Sequence, residues 1–173
     1  PSVITIRPYN LADFDALIAL QRACFPPPFP SELWWNAAQI ANPVHGFPAG
    51  ALCACVDGEL IGSATAHILR FDPTHPDHTW DQAADRGYLG NHDPHGNTLY
   101  GVDIAVHPAW RGRGVARELY QARYAVVRAQ GRLRDPVITP QLRAGLQPVH
   151  LVHGYLRDEE AADCALLMEW KPR

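Results

Sequence analysis

Apolar and polar positions alternate from the start of the chain, and Val3 to Pro8 is predicted as an opening strand. Asn10 is a good helix cap. After it Leu11, Phe14, Leu17, Ile18 and Cys24 recur at helical spacing until Pro26-Pro27-Pro28 stops the run. Ser31 and Glu32 open a second predicted helix carrying Leu33, Trp34, Trp35 and Ile40. It is expected to end near Asn42-Pro43, because a residue before proline avoids the α region. Two short helices parted by prolines suit either a movable lid or plain cover for the core, and the pattern does not separate the two.

Ala51 to Val56, then Asp57-Gly58, then Leu60 to Leu69 is the clearest hairpin, since Asp-Gly supplies the positive-φ residues of a two-residue turn. Phe71 to Asn97 is polar and rich in Pro, Gly, Asp and His, and is expected to be a long functional or disordered loop. Thr98 to His107 is predicted as the next strand. Gly114 to Gln130 is predicted as a helix with Leu119, Ala122, Val126 and Val127 inward. A short helix over Thr139 to Leu146 and strands over Gln147 to Val152 and Ala162 to Trp170 close the chain. The order β-α-α-β-β-β-α-α-β-β implies an α/β fold, an α+β mixed central sheet flanked by helices on both faces, in one domain over residues 1–173.

Composition changes this picture little, but charge does. The 173 residues are 47% apolar and 19% charged, ordinary for a globular chain. A net charge of −3 argues against nucleic acid as a partner. Yet Arg111, Arg113, Arg117, Arg123, Arg128, Arg132 and Arg134 crowd one segment against the single acid Glu118, which fits an anionic ligand or a solvated helix face. Cys24, Cys53, Cys55 and Cys164 show no metal spacing and fit free thiols in a reducing cytoplasm; Cys53 and Cys55 share one strand face. No apolar run is long enough to span a membrane, so no membrane partner is expected.

Chemistry concentrates in Val102 to Ala116, V-D-I-A-V-H-P-A-W-R-G-R-G-V-A. Glycines at a strand-to-helix turn let backbone approach a ligand, and the free amides of a helix's first turn favour a pyrophosphate. Arg111-x-x-Gly114-x-Ala116, preceded by Val106-His107-Pro108, resembles the signature of the GNAT N-acetyltransferase superfamily. The resemblance extends over most of the chain. A narrower one links C-F-P-P-P-F-P-S-E-L-W-W and H-D-P-H-G-N-T-L-Y-G-V-D-I-A-V-H-P to the acetyltransferase half of bacterial proteins fused to nitrilase-type hydrolases. With the chain ending at Arg173, no hydrolase domain and no amidase chemistry are expected.

The resemblance implies the GNAT fold and transfer of an acetyl group from acetyl-CoA, as co-substrate, to a primary amine of a small molecule or peptide. A non-catalytic acyl-CoA-binding or regulatory module is the alternative. Ile104, Ala105 and Val106 are implied to meet pantetheine. Arg111, Gly112, Arg113, Gly114, Val115 and Ala116 are implied to meet pyrophosphate, with Arg117 or Arg123 adding charge. Asp103 is the first candidate base, on the strand face shared with His107; a structural aspartate is the competing role. His107 and Tyr100 are further catalytic candidates, though a surface histidine and a core tyrosine are their ordinary fates. Trp34, Trp35 and Trp80 are candidates to line an acceptor pocket. His75, His78, His92 and His95 with Asp72, Asp77 and Asp93 are too irregularly spaced for a metal, and none is expected. A homodimer is compatible with the sequence.

Two features depart from the superfamily pattern. Gln141 stands where a thiolate-protonating tyrosine is usual, and Gly131 to Ile138 is short for the usual fifth strand. Either that strand shrinks to Pro136-Val137-Ile138, or residues are missing near Gln130-Gly131; the second is expected.

Overall fold

A computed structural model of the chain describes residues 3–72, 74–75 and 77–131, and the backbone of 147–153 and 164–169. The strands are β1 (Thr5–Pro8), β2 (Ala51–Val56), β3 (Glu59–Leu69), β4 (Thr98–Val106), β5 (Gln147–His153) and β6 (Cys164–Glu169). The helices are α1 (Phe14–Cys24), α2 (Ala37–Gly46), α3 (Trp80–Ala84) and α4 (Val115–Gln130). One sheet runs in the order β1-β2-β3-β4, and β5 and β6 form a second, two-stranded sheet. The expected helix over 139–146, Gln141 and the shortened segment up to Ile138 lie outside the described residues.

The chain divides into two compact units, Pro1–Ala66 with Asp103–Val126, and His67–Val102 with Val127–Arg173. In the first unit β1 and β3 flank β2 antiparallel, with Thr5 opposite Cys55 and Leu52 opposite Ala64. The β2–β3 turn places Asp57 at φ 50° and Gly58 at φ 83°, the conformation the Asp-Gly pair predicts. Period-2 alternation then sorts β2 between two cores. Leu52, Ala54 and Val56 pack with Ile61, Ala64, Val115 and Leu119, against α4. Ala51, Cys53 and Cys55 pack with Tyr9, Leu17 and Ile40, against α1 and α2. Helices therefore cover both faces of the sheet, as expected. Gly62 permits the close approach of α4, because a Cβ there would lie 3.1 Å from Ala105 O and 3.1 Å from Val115 Cγ1.

Asn10 caps a 3-10 turn, Leu11–Asp13, that leads into α1, and the Asp13 side chain accepts from Asn10 N at 2.9 Å in return. The second helix differs from its predicted bounds. Ser31–Leu33 is only a 3-10 turn, Trp34 is extended, and α2 begins after Asn36, whose side chain accepts from Ala38 N and Gln39 N. Asn36 wins because its side chain satisfies two otherwise free amides. The helix runs through Pro43 for three residues more, at the expense of one intrahelical hydrogen bond.

In the second unit the expected loop holds a short helix. Thr79 caps α3 by accepting from Gln82 N at 3.1 Å. Asp93 N–H to Ile68 O at 2.8 Å and Asn97 N–H to Leu69 O at 3.1 Å tie the segment to the end of β3. His67, fully buried, donates Nε2–H to Ala83 O at 2.8 Å. β5 and β6 pair antiparallel, from Gln147 opposite Glu169 to His153 opposite Cys164.

Candidate active site

β4 leads directly into the glycine-containing turn. His107 N–H bonds to Ile61 O at 2.9 Å, and His107 Nδ1 accepts from Ala109 N at 3.2 Å, capping the 3-10 turn Pro108–Trp110. The chain then passes Gly112 at φ +74° and Gly114 at φ +85° before α4 begins. Both glycines hold a left-handed conformation that other residues rarely adopt. The first amides of the 16-residue α4 have no earlier helical acceptor, so turn and helix end together form a concavity of N–H groups suited to an anion. Val115 sends its side chain into the core, 1% exposed, which fixes the cradle to the sheet. Arg111, Arg113 and Arg117 surround it with charge. Arg111 Nε donates to Val106 O at 3.2 Å, Arg113 lies 5.1 Å above the Trp110 ring, and Arg117 sits 3.6 Å from Glu118. These residues fit the pyrophosphate of a coenzyme.

Alternation along β4 gives the three expected pantetheine contacts different orientations. Ala105 O lies against Gly62 of β3, whereas Val106 O is turned to the opposite edge, where it accepts from Cys24 Sγ at 3.2 Å and from Arg111. Ile104 shares the parity of Val106, so its backbone groups point to that same edge.

On the α1/α2 face lies a narrow, open-mouthed cleft. Tyr9, Leu17, Gln21, Trp35, Ile40, Ser63, Thr65 and Asp103 line it. Thr65 N–H donates to Asp103 Oδ1 at 3.0 Å, and the Thr65 and Tyr9 hydroxyls share a hydrogen bond of 2.8 Å. Burial pushes the Asp103 carboxyl up to about 6, opposed by the Thr65 amide, the Arg123 guanidinium and the Thr65 hydroxyl. A carboxyl in that range is ionised at neutral pH and still basic enough to take a proton. Tyr9 is shifted the other way from usefulness as an acid, its hydroxyl held protonated by burial.

Other sequence candidates are placed elsewhere. Arg123, expected beside phosphate, is 2% exposed and donates to Thr65 O at 3.3 Å and Asp103 O at 3.0 Å. It lies on the inner face of α4, together with Tyr120. His107 caps a turn outside the cleft lining. Tyr100 is 3% exposed in the second unit, with His67 and His78 rings 6.2 Å and 5.8 Å away. Of the tryptophans, Trp35 lines the cleft, while Trp34 donates to Phe25 O and Trp80 to Val102 O. Among the described residues no group of three or more His, Cys, Asp or Glu is arranged to hold a metal. The cleft residues Tyr9, Gln21, Ser63 and Thr65 carry no sequence signal, because they come from three separate elements and their meeting depends on strand pairing.

Residues 14–135 match the profile of the Acetyltransferase (GNAT) family. The chain belongs to the GNAT acetyltransferase family. A Bacillus subtilis (strain 168) protein named "Uncharacterized N-acetyltransferase YkwB" is 42% identical, over 97% of this chain and 88% of its own length. The alignment spans 200 positions, more than the 173 residues here, so that relative carries residues without counterpart in this chain. "Probable hydrolase YhcX" of the same organism is 30% identical over 96% of this chain, which spans 38% of that protein. Among solved structures, the GphF GNAT-like decarboxylase in complex with isobutyryl-CoA superposes with a TM-score of 0.73 at 20% identity, covering 95% of this chain and 97% of its own. The fold is thus that of a GNAT protein, and its chemistry is acetyl transfer with an acyl-CoA co-substrate.

Proposed function

We propose that this GNAT chain, working as one domain, transfers the acetyl group of acetyl-CoA to a primary amine bound in the cleft beside Asp103. The observation that carries the proposal is the Asp103 carboxylate itself, half-buried in a cleft on β4, three residues from the open backbone edge at Val106. Acetyl-CoA, when bound, supplies an activated thioester carbon. The chain's residues do the rest. The Arg111–Ala116 turn holds pyrophosphate, and the backbone of Ile104 and Val106 orients pantetheine. A backbone N–H at Val106 supports negative charge on the carbonyl oxygen. Asp103 takes a proton from the acceptor's ammonium or from the amine as its nitrogen bonds to carbon, while the carbon–sulfur bond breaks and the coenzyme leaves as its thiolate, to be protonated to the thiol. The thiols of Cys24, Cys53 and Cys55 are free, which fits work in a reducing cytoplasm.

Two variants test the two halves. Gly114→Glu brings bulk, a strained φ and negative charge to the cradle, and is expected to abolish acetyl-CoA binding in calorimetry. Asp103→Asn is expected to keep that binding and lose at least 100-fold in turnover, the scale of general-base catalysis. Unchanged affinity in the first, or an unchanged rate in the second, defeats the corresponding half.

A further inference from the structure

Two polar groups in the cleft are buried and unspent. Gln21 is 7% exposed, and its Oε1 accepts from Trp35 N–H at 2.7 Å. That bond fixes the orientation of the amide, because a backbone N–H demands the oxygen and turns the NH2 the other way. Among the described residues this NH2 has no partner, and neither has the hydroxyl of Ser63, 6% exposed. The amide donor faces the cleft, where the oxygen of a ligand can accept from it. Among the described residues no other lining group accepts from it. Leu17 and Ile40 are apolar, and the Tyr9 hydroxyl is engaged by Thr65.

Charge narrows the ligand further. Among the described residues Asp103 is the only one on the lining charged at neutral pH, and no Lys or Arg is on it. The nearby arginines are engaged already, Arg123 with the Thr65 and Asp103 carbonyls at 3.3 and 3.0 Å, Arg7 with Asp13 at 2.8 Å and Arg22 over the Trp34 ring at 5.4 Å. A substrate carboxylate would face Asp103 with no cation on the described lining to pair with it, the Arg123 charge already offsetting that of Asp103, and like charges repel strongly in a partly desolvated site. The oxygen that meets Gln21 must therefore be neutral.

We infer that the acceptor is a primary amine carrying a neutral oxygen two or three bonds from its nitrogen, an amino amide, an N-terminal peptide residue or an amino alcohol, and that Gln21 selects for it. The amine faces Asp103 and Ser63, and the neighbouring oxygen accepts from the Gln21 amide. The inference rests on the cleft being the acceptor site. A site built to hydrogen-bond a substrate oxygen disfavours the analogue without it, because its own donor is left unpaired.

The test uses the full chain with acetyl-CoA and four defined amines, following CoA thiol release. Glycinamide and ethanolamine carry the oxygen; isobutylamine and propylamine are their counterparts without it. The expected kcat/KM ratio within each pair is about tenfold, and glycine, with its carboxylate, is expected to be a poor acceptor. Gln21→Glu keeps an oxygen for Trp35 N–H but loses the donor, so its ratios should fall towards one. Gln21→Leu, which loses both ends, should collapse the ratios as well. Ratios near one in the unaltered chain, ratios unmoved in both variants, or no turnover of any of the four amines overturns the inference. Asp103→Asn separates this from the proposed chemistry. Loss of rate on all four amines with ratios unmoved in the Gln21 variants leaves the base standing and removes the selectivity. An intact rate in Asp103→Asn with ratios collapsed in the Gln21 variants does the reverse.

Discussion

Asp103 illustrates how one residue can trade stability for reactivity. Its carboxyl is raised to about 6 against an ordinary value of 3.8, so the folded chain holds this proton more tightly than the unfolded chain. The stability it contributes is therefore full below about 3.8 and is lost as pH rises through about 6. As a base it works only once deprotonated, so kcat/KM should rise with pH through a midpoint near 6, and that limb should vanish in Asp103→Asn. The same variant should melt a few degrees higher than the unaltered chain at pH 8 and show no such gain at pH 4, because at pH 4 the native carboxyl is already neutral. Thermal melts at the two pH values check this. Equal melting points at pH 8 would mean that Asp103 stores no strain.

At the scale of elements, α4 does two things with one face. Its first turn completes the concavity proposed to hold pyrophosphate, and one residue of its third turn, Arg123, reaches the sheet and bonds the carbonyls of Thr65 and Asp103. Thr65 gives its amide to a carboxylate, and the guanidinium satisfies the two oxygens at that point. Arg123→Met should leave these carbonyls without a charged donor and cost about 2–3 kcal/mol. For a chain of this size that is a melting temperature lower by roughly 5–10 °C. Because the guanidinium favours the ionised carboxylate, its loss should also move the acid limb of the pH–rate profile upward. A variant that melts normally and titrates normally would make Arg123 a bystander. The resemblance offered this arginine or Arg117 to phosphate, and helical spacing alone does not tell a charged residue that snorkels to solvent from one that caps carbonyls on a strand.

For the whole molecule, the expected consequence of a coenzyme cradle is linkage between binding and folding. A ligand that binds only the folded chain adds about 2.7 kcal/mol at a hundredfold excess over its Kd. Acetyl-CoA should therefore raise the melting temperature by roughly 5–10 °C. Gly114→Glu should show no shift. What the sequence determined by itself is local. The Asp-Gly turn, the capped helices, the alternation of β2, and the Trp110–Ala116 turn all follow from neighbours within a few residues, where dihedral preference and hydrogen-bond capping act. The GNAT fold and its glycine-containing strand-to-helix turn were therefore legible. Only the tertiary structure decided which groups meet. Tyr9, Gln21, Ser63 and Asp103 come from β1's exit, α1, β3 and β4, and share a cleft because antiparallel register puts Thr65 beside Asp103 and packing brings α1 against β2. Burial likewise set the state of Asp103 and withdrew Arg123 from solvent, since desolvation depends on everything that surrounds a group and not on its place in the chain.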